Sequence, residues 1–138
     1  MTTAVDSSVL LDVLGGDITF GLRSTRAMRR CAQQGRLIAS DVVWAEVLGN
    51  YASASEGREA LESLRVEFVP VDLVAASVAA TAWHGYRSRG GPRTRVIADF
   101  LVGAHAEIHA DRLLTRDRGF YRSCFSKLSV VDPSAGSG

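Results

Sequence analysis

Lysine is almost missing from this chain: of its 16 basic residues, Lys127 alone is not an arginine. Arginine forks match phosphate oxygens two at a time, so the imbalance suits a nucleic-acid substrate, although the codon bias of a GC-rich genome accounts for it equally well. Cysteine is scarce too. Cys31 and Cys124 are too few for a disulfide scaffold and carry neither a CxxC nor a Cys/His metal spacing, so they read as reduced thiols of a cytosolic protein. No apolar run approaches the roughly 20 residues of a membrane span, and Met1 to Asp6 lacks the basic and apolar regions of a secretory signal. These absences exclude a membrane protein and a secreted disulfide scaffold, and the expected location is the cytoplasm. What remains is 138 residues, 46% hydrophobic and 22% charged with net charge +1, enough for one domain with its own core. We expect that domain over residues 1–133, with 134–138 as a flexible tail.

Along the chain, short apolar runs alternate with amphipathic stretches. Thr3 to Asp6 reads as a strand ending on an acid, and V-L-L-D-V-L as a short helix closed by Gly15 and Gly16. A second helix is expected over Asp17 to Gln34, a strand over Arg36 to Ser40, and a helix V-V-W-A-E-V-L-G-N-Y capped by Ser40 or Asp41. Gly57 to Arg65 is a charged helix. Glu67 to Val71 is a strand whose Pro70 favours an end or an edge. Leu73 to Tyr86 is an alanine-rich helix. Thr94 to Ala110 is another, with Val96, Phe100 and Ala104 and then Ile97, Leu101 and Ile108 as its core stripe. Arg112 to Thr115 and Leu128 to Val131 complete five strands, with a short helical piece at Phe120 to Phe125. Such alternation predicts an α/β fold, a three-layer α/β/α sandwich around a parallel sheet.

Four acids fall at informative places. Asp6 and Asp117 end strands, where open parallel sheets bind their ligands. Glu46 sits beside the core-facing side of its helix, and Asp99 in the first turn of another, near the positive end of the macrodipole. If the four converge they cannot all stay ionised without a counter-ion: two like charges about 4 Å apart cost on the order of 4 kcal/mol at an effective dielectric of 20. An all-oxygen set favours Mg²⁺ or Mn²⁺. Zinc is disfavoured, because His84, His105 and His109 form no ligand set with each other or with cysteine. A hydrated hard ion acts on phosphates, but the acids alone do not separate nuclease from phosphatase. The loop R-S-R-G-G-P-R-T-R just before Asp99 is either a phosphate-holding segment or solvent-facing charge.

The segments V-D-S-S-V-L-L-D-V-L, W-A-E-V, I-A-D-F-L-V-G-A-H-A and L-L-T-R-D-R-G-F-Y, in that order, resemble the PIN domain family and, more narrowly, VapC-type toxins of prokaryotic toxin-antitoxin pairs. The likeness runs from Ala4 to Val131. It implies a PIN-like α/β/α fold and a metal-dependent ribonuclease site, with Asp6, Glu46 and Asp99 as ligands and Asp117 as a fourth acid for a second ion or a water. It implies further that Thr115, and less directly Ser7, support the cluster. The partner implied is a VapB-type antitoxin whose C-terminal segment fills the groove, and a homodimer is expected. Asp12 is expected as a surface or N-terminal helix residue beside the site, not as a ligand. Arg93, Arg95, Arg116 and Arg118 are the candidates for holding RNA. Three other readings compete: a PIN nuclease of RNA processing or of DNA, a non-catalytic RNA-binding or scaffold protein of the same fold, and a receiver-type signalling domain. The last needs an adjacent acidic pair, and Asp6 is followed by Ser7.

Overall fold

The structure, a computed structural model, describes residues 1–92 and 94–135. Five strands form one parallel sheet: β1 (Thr2–Val5), β2 (Arg36–Ala39), β3 (Val66–Phe68), β4 (Arg112–Leu114) and β5 (Val130–Val131), in the spatial order β3-β2-β1-β4-β5. Between them run α1 (Ser7–Gly15), α2 (Gly21–Gln34), α3 (Asp41–Leu48), α4 (Ala54–Ser63), α5 (Leu73–Ser88), α6 (Ile97–His109) and α7 (Arg118–Cys124). The chain builds outward from β1 to β3, then crosses back to lay β4 on the other side of β1. With right-handed crossovers, the rule for parallel connections, α1 to α4 cover one face and α5 to α7 the other. This is the expected three-layer arrangement.

The local chemistry explains the boundaries. Asp6 ends β1 and caps α1, its carboxylate accepting from the Ser7 amide, while Gly16 closes that helix at φ 61°, the left-handed conformation glycine adopts freely. The second helix begins later than expected: Asp17 Oδ2 accepts from the amides of Thr19 and Phe20, so residues 17–20 form a turn and α2 starts at Gly21. Ser40 Oγ accepts from the Val43 amide and starts α3. Ser53 does the same for α4, which begins at Ala54, ahead of the expected Gly57. Pro70 lies just beyond β3, which is an edge strand. At the other end, Pro133–Ala135 form one turn of 3-10 helix, and residues 136–138, within the expected tail, lie outside the described residues.

The core joins both faces of the sheet through Val5, Val9, Leu10, Ile38, Phe100 and Leu113, all at most 1% exposed. The expected stripe of α6 needs correction at its ends. Val96, Ile97 and Ile108 are 56%, 38% and 39% exposed, whereas Phe100, Val102, Gly103, Ala104, His105 and Ala106 are buried. Apolar patterning assumes one covered face, but α6 lies between the sheet and α5, so its middle is enclosed almost all round and its ends project. Beneath it Phe100 packs against Tyr86, Phe120 and Phe125, with ring centroids 5.4, 5.2 and 6.4 Å away. His105 is buried, which pushes its pKa down, and His109 Nε2 lies 2.9 Å from Asp72 Oδ2 without good hydrogen-bond alignment.

Candidate active site

The carboxyl edge of β1 and β4 opens into a cleft of about 340 Å³ lined by Asp6, Glu46, Asp99 and Asp117, together with Ser7, Ser8, Val102, Arg116 and Tyr121. Four acids far apart in sequence therefore face one space. Asp6 is the anchor. Its backbone N–H donates to Leu114 O across the sheet. Its Oδ1 accepts from the Ser7 amide at 2.8 Å, and its Oδ2 from Thr115 Oγ1 at 2.7 Å and from Ser8 Oγ at 3.4 Å. Thr115, fully buried, also accepts from the Asp117 amide at 3.0 Å, so one hydroxyl ties the acids of two neighbouring strand ends together. Ser7 gives its backbone N–H to Asp6 and its side chain to Glu46.

Asp99 occupies the first turn of α6, where its Oδ2 accepts from the N-cap Val96 amide at 3.3 Å. Glu46 projects from the last turn of α3. Asp117 precedes α7 and receives Arg95, whose Nη1 and Nη2 lie 2.5 and 3.3 Å from its two oxygens. The Arg95 guanidinium rests on the Phe120 ring, 4.1 Å from its centroid.

The electrostatics follow from this crowding. Burial pushes the Asp6 carboxyl above the usual range; the Thr115 and Ser7 hydrogen bonds pull it back, and the Asp99 and Asp117 charges push it up again. Glu46, open on one side, is pushed up by burial of the other and then by Asp6, with Ser7 opposing and Asp99 adding to the rise. Tyr121 was not anticipated as a site residue. Burial and the four surrounding carboxylates push its phenol far up, so it stays a neutral hydrogen-bond donor on the cleft wall. Its position four residues after Asp117, on the inner turn of α7, was the available signal.

Of the two places expected for Asp12, the structure gives the helix. Asp12 is not a surface residue: it is 4% exposed, accepts from Ser24 Oγ at 2.9 Å, and is gripped by Arg116 at 2.8 and 3.2 Å. The sequence pattern set it beside the site, but α2 packs over it and Arg116 supplies the counter-charge. Arg116 is thus a fixed cation, stacked 4.1 Å from the Phe20 ring centroid and reaching the cleft edge. Arg118 is exposed and outside the cleft lining, and Arg93 lies outside the described residues.

The donor set suits a hard divalent ion, since every candidate ligand is an oxygen and the buried Asp6 charge is opposed by like charges. Among the described residues no three His, Cys, Asp or Glu stand close enough together to hold a metal ion as they are placed. No helix among those residues is long and apolar enough to cross a membrane.

No curated protein matches the chain. Solved structures share its fold. The chain aligns with VapBC2 from Rickettsia felis bound to a promoter DNA fragment at a TM-score of 0.74 and 14% identity, covering 96% of this chain and 98% of that one. VapBC-1 from nontypeable Haemophilus influenzae aligns at 0.74 and 16% identity, covering 97% and 99%. FitAcB from Neisseria gonorrhoeae aligns at 0.70 and 19% identity, covering 96% and 98%. The PIN domain model matches residues 3–126, from β1 through α7 and so across every acid of the cleft. That match covers most of the sequence, and by it the chain belongs to the PIN domain family.

Proposed function

We propose that this protein is a divalent-metal-dependent endoribonuclease, the toxin of a VapBC-type pair. One observation carries the reading: Asp6, Glu46, Asp99 and Asp117 line a single open cleft at the carboxyl ends of the two central strands. Asp6, Glu46 and Asp99 would hold Mg²⁺ or Mn²⁺, and Asp117 would hold a second ion or orient a water. When bound, the ion polarises the scissile phosphate and eases ionisation of water. The chain's own groups do the rest. Thr115 and the Ser7 amide keep Asp6 oriented, and Glu46, on the cleft rim, accepts the proton of the attacking water. Tyr121 donates to a phosphate oxygen, and Arg95 and Arg116 hold the flanking backbone. Water attacks phosphorus in line as the P–O3′ bond breaks, and the 3′ oxygen leaves and takes a proton from solvent, giving 5′-phosphate and 3′-hydroxyl ends.

The VapBC assemblies whose chains share this fold support a partner of the VapB type; its C-terminal segment would fill the cleft. The decisive experiment incubates the purified protein with single-stranded RNA and Mg²⁺ or Mn²⁺. Cleavage should vanish in EDTA and fall about 100-fold or more in Asp99→Asn. A substrate with one 2′-deoxy sugar at the cut nucleotide should still be cleaved to a 5′-phosphate. Loss of cleavage on that substrate at preserved binding would mean attack by the 2′-hydroxyl, and unchanged activity of Asp99→Asn would remove this cleft from the chemistry. Growth arrest on expression, relieved by the product of a small neighbouring gene, tests the toxin assignment.

A further inference from the structure

Beyond Arg95 lies a second depression, about 740 Å³, between the last turns of α5 and the turn Gly90 to Pro92. Trp83, Tyr86 and Arg87 form one wall and Arg95 the other, and among the described residues no carboxylate lines it. The walls are built rather than incidental. Tyr86 packs on Phe100 and Phe120, and its hydroxyl donates to Pro92 O at 2.7 Å, pinning the turn. Gly91 lies flat on that ring: a Cβ there would come within 2.5 Å of the Tyr86 ring carbons. Arg87 covers the Trp83 indole at 4.3 Å, so a flat cation already occupies a stacking surface. Among the described residues no acid pairs with Arg87.

We propose that this depression is a nucleotide subsite: it takes the base of a single-stranded RNA residue next to the one cut, on Trp83, while Arg87 and Arg95 take the flanking phosphates. The proposal rests on the ribonuclease reading of the acid cleft. Charge complementarity favours it, since among the described residues two cations and no acid line the space. Continuity favours it as well, because Arg95 walls the depression and also bonds Asp117, so a strand in one space enters the other along that guanidinium. The volume falls within the roughly 300–1,000 Å³ of ordinary ligand sites. An entering base replaces the Arg87 guanidinium on the indole, and Arg87, exposed on a long side chain, turns to the phosphate. Stacking of this kind tolerates every base and requires an unpaired one, so the subsite selects single strands over sequence.

The test titrates a single-stranded RNA of about eight nucleotides, within the usual footprint of a single-strand site, into the Asp99→Asn protein in EDTA. Tryptophan emission should be quenched in that protein but not in Trp83→Phe, which leaves only the buried Trp44. An abasic residue at one position should abolish the quench and weaken binding about 5- to 100-fold, the range for losing one base-aromatic stack. Arg87→Ala should weaken binding at every sequence and lower the salt slope by about 1. RNA that binds without changing Trp83 emission would overturn the subsite, as would a Trp83→Leu variant, verified as folded by circular dichroism, that binds as tightly as the parent. So would quenching by an antitoxin-derived peptide and never by RNA. In each of these cases continued metal-dependent cleavage by the parent would leave the acid cleft's role intact. A parent that neither cuts nor binds RNA overturns both.

Discussion

Arg116 and Arg95 look alike in the sequence, each next to or near a site acid, yet their environments separate them. Arg116 grips Asp12, whose side chain is 5% exposed, while Arg95 meets an Asp117 that is 42% exposed. Removing Arg116 strands a buried carboxylate whose one remaining side-chain partner among the described residues is Ser24. Arg116→Ala should therefore lower unfolding free energy by about 2–3 kcal/mol, less than the roughly 3–5 of a fully buried pair because the arginine is one-third exposed. Arg95→Ala should cost about 1 kcal/mol or less, and urea denaturation compares the two. Equal losses would refute the distinction. The acid quartet was legible in the sequence because carboxylates in apolar surroundings are conspicuous. The Asp12–Arg116 pair was not, since a residue of α1 and one after β4 are brought together only by the sheet, and residue-type patterns do not encode such long-range partners.

Among the elements, α6 bears the closest packing. Gly103 lies under the Phe125 ring, and a Cβ there would stand 2.4 Å from a ring carbon that is itself buried. Alanine favours an isolated helix, by about 1 kcal/mol over glycine. Here the clash should win: Gly103→Ala should destabilise by about 1–3 kcal/mol, as overpacked cores do. A truncation that makes room, Gly103→Ala with Phe125→Leu, should recover part of the loss, and a single variant as stable as the parent in thermal melts would show that the ring moves freely. The helix was visible in the sequence from its length and apolar content. Its buried face was misjudged at Val96, Ile97 and Ile108 because periodicity reports one covered side and α6 has two. Element ends set by side-chain bonds, such as the Asp17 turn that delays α2, escape periodicity altogether.

For the molecule as a whole, the cleft trades stability for function. Asp6 and Glu46 hold protons more readily in the fold than in the unfolded chain, so between the ordinary carboxylate value near 4 and their raised values the native state binds the more protons. Ion-free protein should therefore lose stability as pH rises through that window and level off above it. Mg²⁺ should restore it most on the alkaline side, whereas Asp6→Asn should flatten the profile and erase the Mg²⁺ gain. Thermal melts at about pH 5 and about pH 8, in EDTA and in Mg²⁺, read both effects, and a parent profile that rises with pH would contradict the electrostatics. The hydroxyl of Thr115 bonding Asp6, 109 positions earlier, has a last consequence during synthesis. A ribosome making this chain exports Asp6 long before Thr115, so the cleft stays unassembled while the intervening strands and helices are made. The four acids can share one space only after the strand that follows α6 has emerged and docked.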